Sequence, residues 1–244
     1  MLGATVLQAD GPVIPTFGTT SKCVKENRTF CTDWLKTNWS PVLKPALIQH
    51  IELTLIALVI GFVIAFSLAV LAHRNRWLAA PVTFLGSLLY TIPSLAAFEI
   101  LIPITGINRY TVEIPLVSYT LLILFTNTLA GLSGVSPEVL DAARGAGLTK
   151  AQMLRKVELP LALPTVIAGV RVAAVTLVSL VTVVAFVLPE GLGKPIFDAL
   201  NKGNFNTESI SAGVLCILLA LVVDALLAGS QRVATPWASA RRGG

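Results

Sequence analysis

Four charged residues lie inside long apolar runs of this 244-residue chain: Glu52, Glu99, Arg171 and Asp224. A charge at the centre of a bilayer costs about 2.5–3.5 kcal/mol on insertion scales, so such residues mark a function by default. Glu52 and Arg171 stand near the ends of their runs, where snorkelling or helix packing accounts for them. Glu99 lies deeper and either faces a polar passage or sits near an interface, whereas we interpret Asp224 as structural.

The other reactive side chains do not form a catalytic or metal-binding set. Neither His50 nor His73 has a partner in the sequence for nucleophilic or metal chemistry, which disfavours a membrane enzyme. Cys216 lies in an apolar run and is interpreted as a packing residue. Cys23 and Cys31 stand in a polar N-terminal segment, where they form a disulfide if that segment faces an oxidising compartment and remain free thiols otherwise.

One glycine-rich segment, Gly191-Leu192-Gly193-Lys194, invites comparison with a phosphate-binding loop. That loop requires a glycine five positions before the second glycine of this segment and Ser or Thr directly after the lysine. Leu188 and Pro195 occupy those positions. The sequence therefore predicts that this chain binds no nucleotide or other cofactor and is not an enzyme.

The composition predicts an all-α integral membrane protein. Hydrophobic residues make up 55% of the chain and charged residues 13%, about half of the usual share in soluble domains, and the mean hydropathy is +0.79. A membrane-spanning helix needs about 20 apolar residues. Five runs approach that length, at residues 47–71, 77–103, 115–132, 165–188 and 210–227. Pro93 lacks a backbone donor and is expected to kink the second run.

Charge indicates the partners and, weakly, the orientation. The net charge is +5, but the basic residues are scattered, which excludes a nucleic-acid surface and favours contact with anionic lipid headgroups. Five crossings place the termini on opposite sides. Nine Lys and Arg residues fall on one side and eight on the other, so the positive-inside rule only leans towards an external N-terminus and a cytoplasmic C-terminus.

Three regions follow from this reading. Residues 1–46 form an extracytoplasmic segment, in which Thr32–Trp39 is expected to be a short interfacial helix with Trp34 and Trp39 at the headgroup level. Residues 47–228 form the membrane domain, and residues 229–244 form a cytoplasmic tail that carries Arg232, Arg241 and Arg242.

A polar loop at residues 133–164 interrupts the membrane domain and carries strong helix signals. Ser136 followed by Pro137 is typical of a helix start, and Gly147 is suited to a left-handed stop. Thr149 with Gln152 fits a capping box that begins a second helix. Pro160 and Pro164 are expected to break the chain before the fourth apolar run. The loop is therefore predicted to contain two short helices joined at a glycine.

The spacing within this loop resembles the EAA signature of ATP-binding cassette (ABC) importer permeases. That signature is Glu-Ala-Ala, three residues, Gly, nine residues and Ile-x-Leu-Pro. Asp141 here replaces Glu, and Val157 replaces Ile. The resemblance implies a MetI-like permease fold, with a cytoplasmic coupling loop that docks on a separate ATPase. The residues expected to couple to the ATPase are Asp141, Ala142, Ala143, Gly147, Leu159 and Pro160.

The resemblance extends over residues 46–228 and favours the osmoprotectant branch of this family. Residues 90–96 (YTIPSLA), 101–107 (LIPITGI) and 191–197 (GLGKPIF) are similar to segments of permeases that import glycine betaine, choline or carnitine. An amino-acid permease of the methionine type is the alternative. A secondary transporter is disfavoured because no convincing internal repeat is present.

The family resemblance also implies partners. These are a dimer of ATPase subunits that carries the ATP and Mg²⁺, a second permease copy or paralogue, and an extracytoplasmic solute-binding protein. The candidates for the translocation path are Tyr90, Thr91, Pro93, Ser94, Glu99 and Asn127. They do not form the aromatic box that binds a quaternary ammonium ion, so the binding protein is expected to select the solute.

Overall fold

The computed structural model of this chain describes residues 21–237, and within this range the backbone is helical with no strand. The predicted all-α membrane fold is confirmed. Four helical segments are long and apolar enough to cross a membrane, and a bent helix pair gives a fifth when it is counted as one span. The predictions for residues 1–20 and for Arg241 and Arg242 lie outside the described residues.

The helices follow the predicted runs but extend beyond them. In chain order they are α1 (Lys22–Lys25), α2 (Thr32–Asn38), α3 (Lys44–Arg74), α4 (Ala79–Thr91), α5 (Ser94–Thr105), α6 (Arg109–Ser133), α7 (Pro137–Gly145), α8 (Lys150–Met153), α9 (Leu159–Val184), α10 (Gly193–Asn201) and α11 (Asn206–Ala234). Two π-helical turns, Trp39–Leu43 and Leu154–Glu158, join α2 to α3 and α8 to α9.

Small residues let the first and third spans approach closely. Ala57, Gly61, Ala65 and Ala69 recur every four residues and form a buried stripe on α3. A Cβ atom on Gly61 would collide with Thr120 of α6. Small residues at this spacing are typical of helix contacts in lipid, where close packing replaces the hydrophobic effect as the driving force.

Helix α6 also packs against α9, and α9 in turn packs against α11. At Gly169 of α9, a Cβ atom would lie 2.5 Å from the Cβ of Asn127 on α6. The helices α3, α6 and α9 thus form the centre of the bundle, while α11 leaves most of its apolar surface exposed in the single chain.

The second span is broken and not merely kinked as the sequence predicted. Helices α4 and α5 meet at 94°, with Pro93 between them. Pro93 cannot donate the backbone hydrogen bond that would continue the helix. The carbonyl of Ile92, which follows α4 in extended conformation, accepts a hydrogen bond from the Tyr119 hydroxyl of α6. A neighbouring side chain therefore stabilises the break.

The N-terminal segment is packed onto the rest of the protein. Cys23 and Cys31 are joined by a disulfide. A helix forms at Thr32–Asn38, close to the predicted Thr32–Trp39, and it continues through the π-turn into α3. Trp34 is buried and contacts Phe205 with ring centroids 5.5 Å apart, so only Trp39 remains exposed as expected of a headgroup residue.

Two asparagines lock this segment to the turn between α10 and α11. Asn27 and Asn204 both adopt positive φ, at 48° and 62°. The Asn27 amide donates to the Asn204 carbonyl at 3.0 Å, and its side-chain oxygen accepts from the Asn206 backbone N–H at 2.9 Å. Asparagine is among the few residues that tolerate this conformation, and the three hydrogen-bonded residues hold it in place.

The predicted break at Pro160 and Pro164 is also wrong. The chain is helical without interruption from Lys150 to Val184. Pro160 stands in the first turn of α9, directly after the π-turn, where the N–H of Leu159 bonds to the carbonyl of Leu154. The wider π-turn accommodates the missing donor, so the second loop helix and the fourth span form one rod.

Candidate functional site

The first loop helix, α7, begins where the sequence indicated. Ser136 precedes it in extended conformation and Pro137 is its first residue, but the Ser136 side chain makes no cap to the helix backbone. Hydrogen bonds from its own backbone N–H and from the Ser136 side chain hold the pKa of the Glu138 carboxyl below its usual range. The Ser136 hydroxyl therefore bonds to the Glu138 carboxylate and does not cap the helix.

Gly147 ends the helix in the left-handed conformation predicted for it, with a φ of 78°. The Leu148 N–H donates to the Ala143 carbonyl at 3.2 Å, and the Gly147 N–H donates to the Arg144 carbonyl at 2.9 Å. This pattern is a Schellman motif, which closes the last turn and satisfies carbonyls that would otherwise be unpaired. A Cβ atom on Gly147 would meet no heavy atom within 4 Å, so conformation and not space requires glycine here.

The second loop helix is capped at its start, and its end is anchored by packing against the membrane helices. Thr149 and Gln152 form the predicted capping box, with both hydrogen bonds present. Leu154 is buried in a cluster with Leu132 of α6 and with Ala162 and Val166 of α9. The loop is therefore attached to the membrane helices through a packed base.

A polar contact that the sequence did not reveal reinforces this base. His73, in the last turn of α3, lies with its Nε2 atom 3.3 Å from the Oε2 of Glu158 in the π-turn. The sequence did not directly indicate this contact, because His73 and Glu158 are far apart in the chain. The sequence offered one indirect signal for this contact. His73 follows the first apolar run and Glu158 precedes the fourth, so both are expected on the same side of the membrane.

The residues singled out in the loop differ in exposure. Asp141, Ala142 and Gly147 are exposed, whereas Ala143 is buried against the following turn. Leu159 and Pro160 are half-buried at the start of α9. The outward surface of the loop is thus short, and the turn at its centre is fixed by the Schellman motif and by the Thr149–Gln152 capping box.

The six candidates for the translocation path are not brought together. Tyr90, Thr91, Pro93 and Ser94 surround the break in the second span, and the rings of Tyr90 and Tyr119 lie 5.9 Å apart. Glu99 is exposed on α5.

Asn127 lies elsewhere, in the contact between α6 and α9. Its amide donates to the Ile123 carbonyl at 2.8 Å, and its Cβ faces Gly169. This geometry gives Asn127 a packing contact and separates it from the broken span.

At the end of the bundle opposite the loop, Arg109 joins three elements. Its guanidinium lies 3.2 Å from Glu52 of α3 and 3.0 Å from Glu190 in the segment after α9. Glu52 is therefore ion-paired, where the sequence suggested snorkelling or helix packing.

His50 holds the glycine-rich segment 191–194 in place. Its Nδ1 accepts a hydrogen bond from the Leu192 N–H at 3.1 Å, which assigns the ring proton to Nε2, and Nε2 donates to the Val178 carbonyl at 3.0 Å. Gly191 has a φ of 75°, and Gly193 approaches the Thr182 carbonyl so closely that no Cβ fits. The glycines in this segment thus permit a turn at Gly191 and close packing at Gly193.

Arg171 and Asp224 form a bidentate ion pair between α9 and α11. The Nε–Oδ1 distance is 2.8 Å and the Nη2–Oδ2 distance is 2.9 Å. Arg171 lies at the middle of α9, six residues after the start of the predicted apolar run at 165. The rule that charges in membranes pair with one another would have suggested Asp224 as a partner.

Across residues 21–237, no group of three or more His, Cys, Asp or Glu side chains is arranged to hold a metal ion.

The sequence of this chain is similar to known permeases over most of its length. It is 34% identical to the choline transport system permease protein OpuBB of Bacillus subtilis (strain 168), over 83% of this chain and 93% of that protein. It is 33% identical to the glycine betaine/carnitine/choline transport system permease protein OpuCB of the same organism, over 77% and 86%.

The fold is also that of a solved transporter. The structure of the MetNI methionine ABC transporter in an inward-facing conformation matches with a TM-score of 0.73 and 22% identity, over 82% of this chain and 98% of that chain. Residues 57–238 match the family described as "Binding-protein-dependent transport system inner membrane component". With its helical fold, apolar spans and EAA-type loop, this chain belongs to that family and is a permease of an ABC importer.

Proposed function

We propose that this permease imports quaternary ammonium osmoprotectants such as choline, glycine betaine and carnitine. The observation that carries the proposal is the sequence identity of 33–34% to permeases named for these solutes, over more than three quarters of the chain. The methionine transporter shares the fold, but at 22% identity that likeness says nothing about the solute.

The loop at 133–164 is proposed to dock on a separate ATPase in the cytoplasm. Its exposed residues Asp141, Ala142 and Gly147 form the contact, and Ala143, Leu159 and Pro160 support it from beneath. ATP binding with Mg²⁺ draws two ATPase subunits together and moves the loop. Because Lys150–Val184 is one continuous helix, this motion reaches the fourth span without a flexible joint.

The remaining parts of the proposed assembly follow from the family. A second copy or a paralogue completes the pathway around the broken second span, where Tyr90, Thr91, Pro93 and Ser94 line it and Glu99 and Asn127 are further candidates. A solute-binding protein delivers the solute on the outside. The N-terminus is external, which agrees with a Cys23–Cys31 disulfide in an oxidising compartment, and the C-terminus is cytoplasmic.

The test is ATP-driven uptake by the reconstituted complex of permease, ATPase and binding protein. Radiolabelled choline and glycine betaine should accumulate only with internal ATP and binding protein. Uptake of L-methionine in their place would contradict the proposed solutes, and uptake without ATP would contradict the ABC mechanism.

A further inference from the structure

The Arg171–Asp224 pair joins the middle of α9 to α11 and lines a groove on the surface of the described part of the chain. Arg171 is 12 residues from the start of α9, which places it about 18 Å along the helix axis from that end. The side chains of Arg171 and Asp224 keep 32% and 38% of their exposure. Charges within a membrane-spanning helix are costly and mark a functional site by default, and this pair remains accessible from the groove.

The groove has the size and lining of a site for a small solute. Its volume is about 600 Å³, within the usual range for ligand sites. Apart from the ion pair its walls are apolar, with Val175 of α9 and Leu221 of α11, and Thr176 adds one hydroxyl. The charged groups of the lining are Arg171 and Asp224, and the Thr176 hydroxyl donates to the Val172 carbonyl within α9.

The pair has unused capacity to bind charge. Asp224 engages the Nε and Nη2 atoms of Arg171, so the two N–H groups of Nη1 take no part in the ion pair. A ligand carboxylate can accept from Nη1, while the Asp224 carboxylate attracts a cation. A quaternary ammonium group cannot donate hydrogen bonds, so its methyl groups suit the apolar side chains beside Asp224.

We propose that the Arg171–Asp224 pair binds a zwitterion that carries one carboxylate and one quaternary ammonium group. The pair and the ligand are each neutral overall, so the ligand brings no net charge into the low-dielectric interior. The ligand's carboxylate lies at Arg171 and its ammonium group lies at Asp224. The dipole of the ligand is therefore antiparallel to the dipole of the ion pair. The site deepens the proposed function, because it rests on the import of quaternary ammonium solutes.

The experiment measures protection of a thiol in the groove. In a Cys216→Ser background, Val175→Cys is labelled with N-ethylmaleimide in the reconstituted permease–ATPase complex, with and without glycine betaine. At ten times the dissociation constant, glycine betaine should slow labelling about 10-fold, because only the unoccupied site reacts. Choline, which lacks the carboxylate, should protect less at the same concentration. Val214→Cys, exposed on α11 outside the groove, is the control and should be unaffected.

The variant Arg171→Met/Asp224→Leu, combined with Val175→Cys, tests the pair itself. Replacing both charges by apolar residues leaves no unpaired charge, and co-purification with the ATPase subunits reports folding. Protection by glycine betaine should then be lost. Persistent protection in this variant, or a Val175→Cys thiol that never reacts or is never protected, would overturn the site. If the unmodified complex imports no quaternary ammonium solute, the proposed function fails instead.

Discussion

At the scale of single residues, backbone conformation and not side-chain contact determines where the loop requires a glycine. Gly145 and Gly147 are both exposed, and an added Cβ meets no atom within 4 Å at either position. They differ in φ, which is positive only at Gly147. Space is equal at the two sites, so any difference between matched substitutions reports the left-handed turn.

Gly147→Ala is expected to impair coupling, whereas Gly145→Ala is not. A left-handed alanine costs about 1–2 kcal/mol, while alanine in the helical position 145 is favoured over glycine. Binding-protein-stimulated ATPase activity and uptake should both fall in Gly147→Ala, and Gly147→Asn should recover much of the loss because asparagine tolerates this conformation. Equal activity of the two alanine variants would show that the turn is not required.

At the scale of elements, the rod from Lys150 to Val184 is the feature that the sequence analysis missed. The EAA-type spacing located the loop, and local signals located the Gly147 turn and the Thr149–Gln152 capping box, because capping depends on neighbouring residues. It could not show that Pro160 lies after a π-turn, because a proline by itself predicts a break. For the second span the sequence predicted only a kink. The full break is stabilised by a hydrogen bond from Tyr119 of α6 to Ile92, and contacts between different helices are not visible in a single sequence.

The stiffness of this rod can be tested at Arg155 and Lys156, two exposed residues of the π-turn. Arg155→Gly/Lys156→Gly should soften the connection, because each glycine costs about 1 kcal/mol relative to alanine in a helix. Arg155→Ala/Lys156→Ala removes the same charges and keeps the helix. Solute imported per ATP hydrolysed should fall in the glycine variant alone. A similar fall in both would assign the effect to charge.

At the scale of the whole molecule, the pairings between distant helices were beyond sequence reasoning. The composition predicted the helical membrane class and the five runs, since lipid imposes both directly. The partners of His73, Glu52 and Arg171 depend on how helices associate, and a single sequence contains no direct record of that. Orientation stays a prediction, because the two sides carry nearly equal numbers of basic residues.

Orientation can be measured with single cysteines in the Cys216→Ser background, in which the Cys23–Cys31 disulfide does not react with maleimides. Lys150 and Lys202 are both exposed and lie at opposite ends of the bundle. In intact cells, a membrane-impermeant maleimide should label Lys202→Cys and leave Lys150→Cys unlabelled until the membrane is permeabilised. The reverse pattern would place the loop outside, where no cytoplasmic ATPase reaches it.

The continuous helix from Thr32 to Arg74 has a consequence for the outer surface. Its 43 residues are about 65 Å long, roughly twice the thickness of the hydrocarbon layer. Even a steeply tilted helix of this length leaves several turns in water. With the predicted external N-terminus, those turns and the disulfide-closed segment would form a folded protrusion above the lipid headgroups.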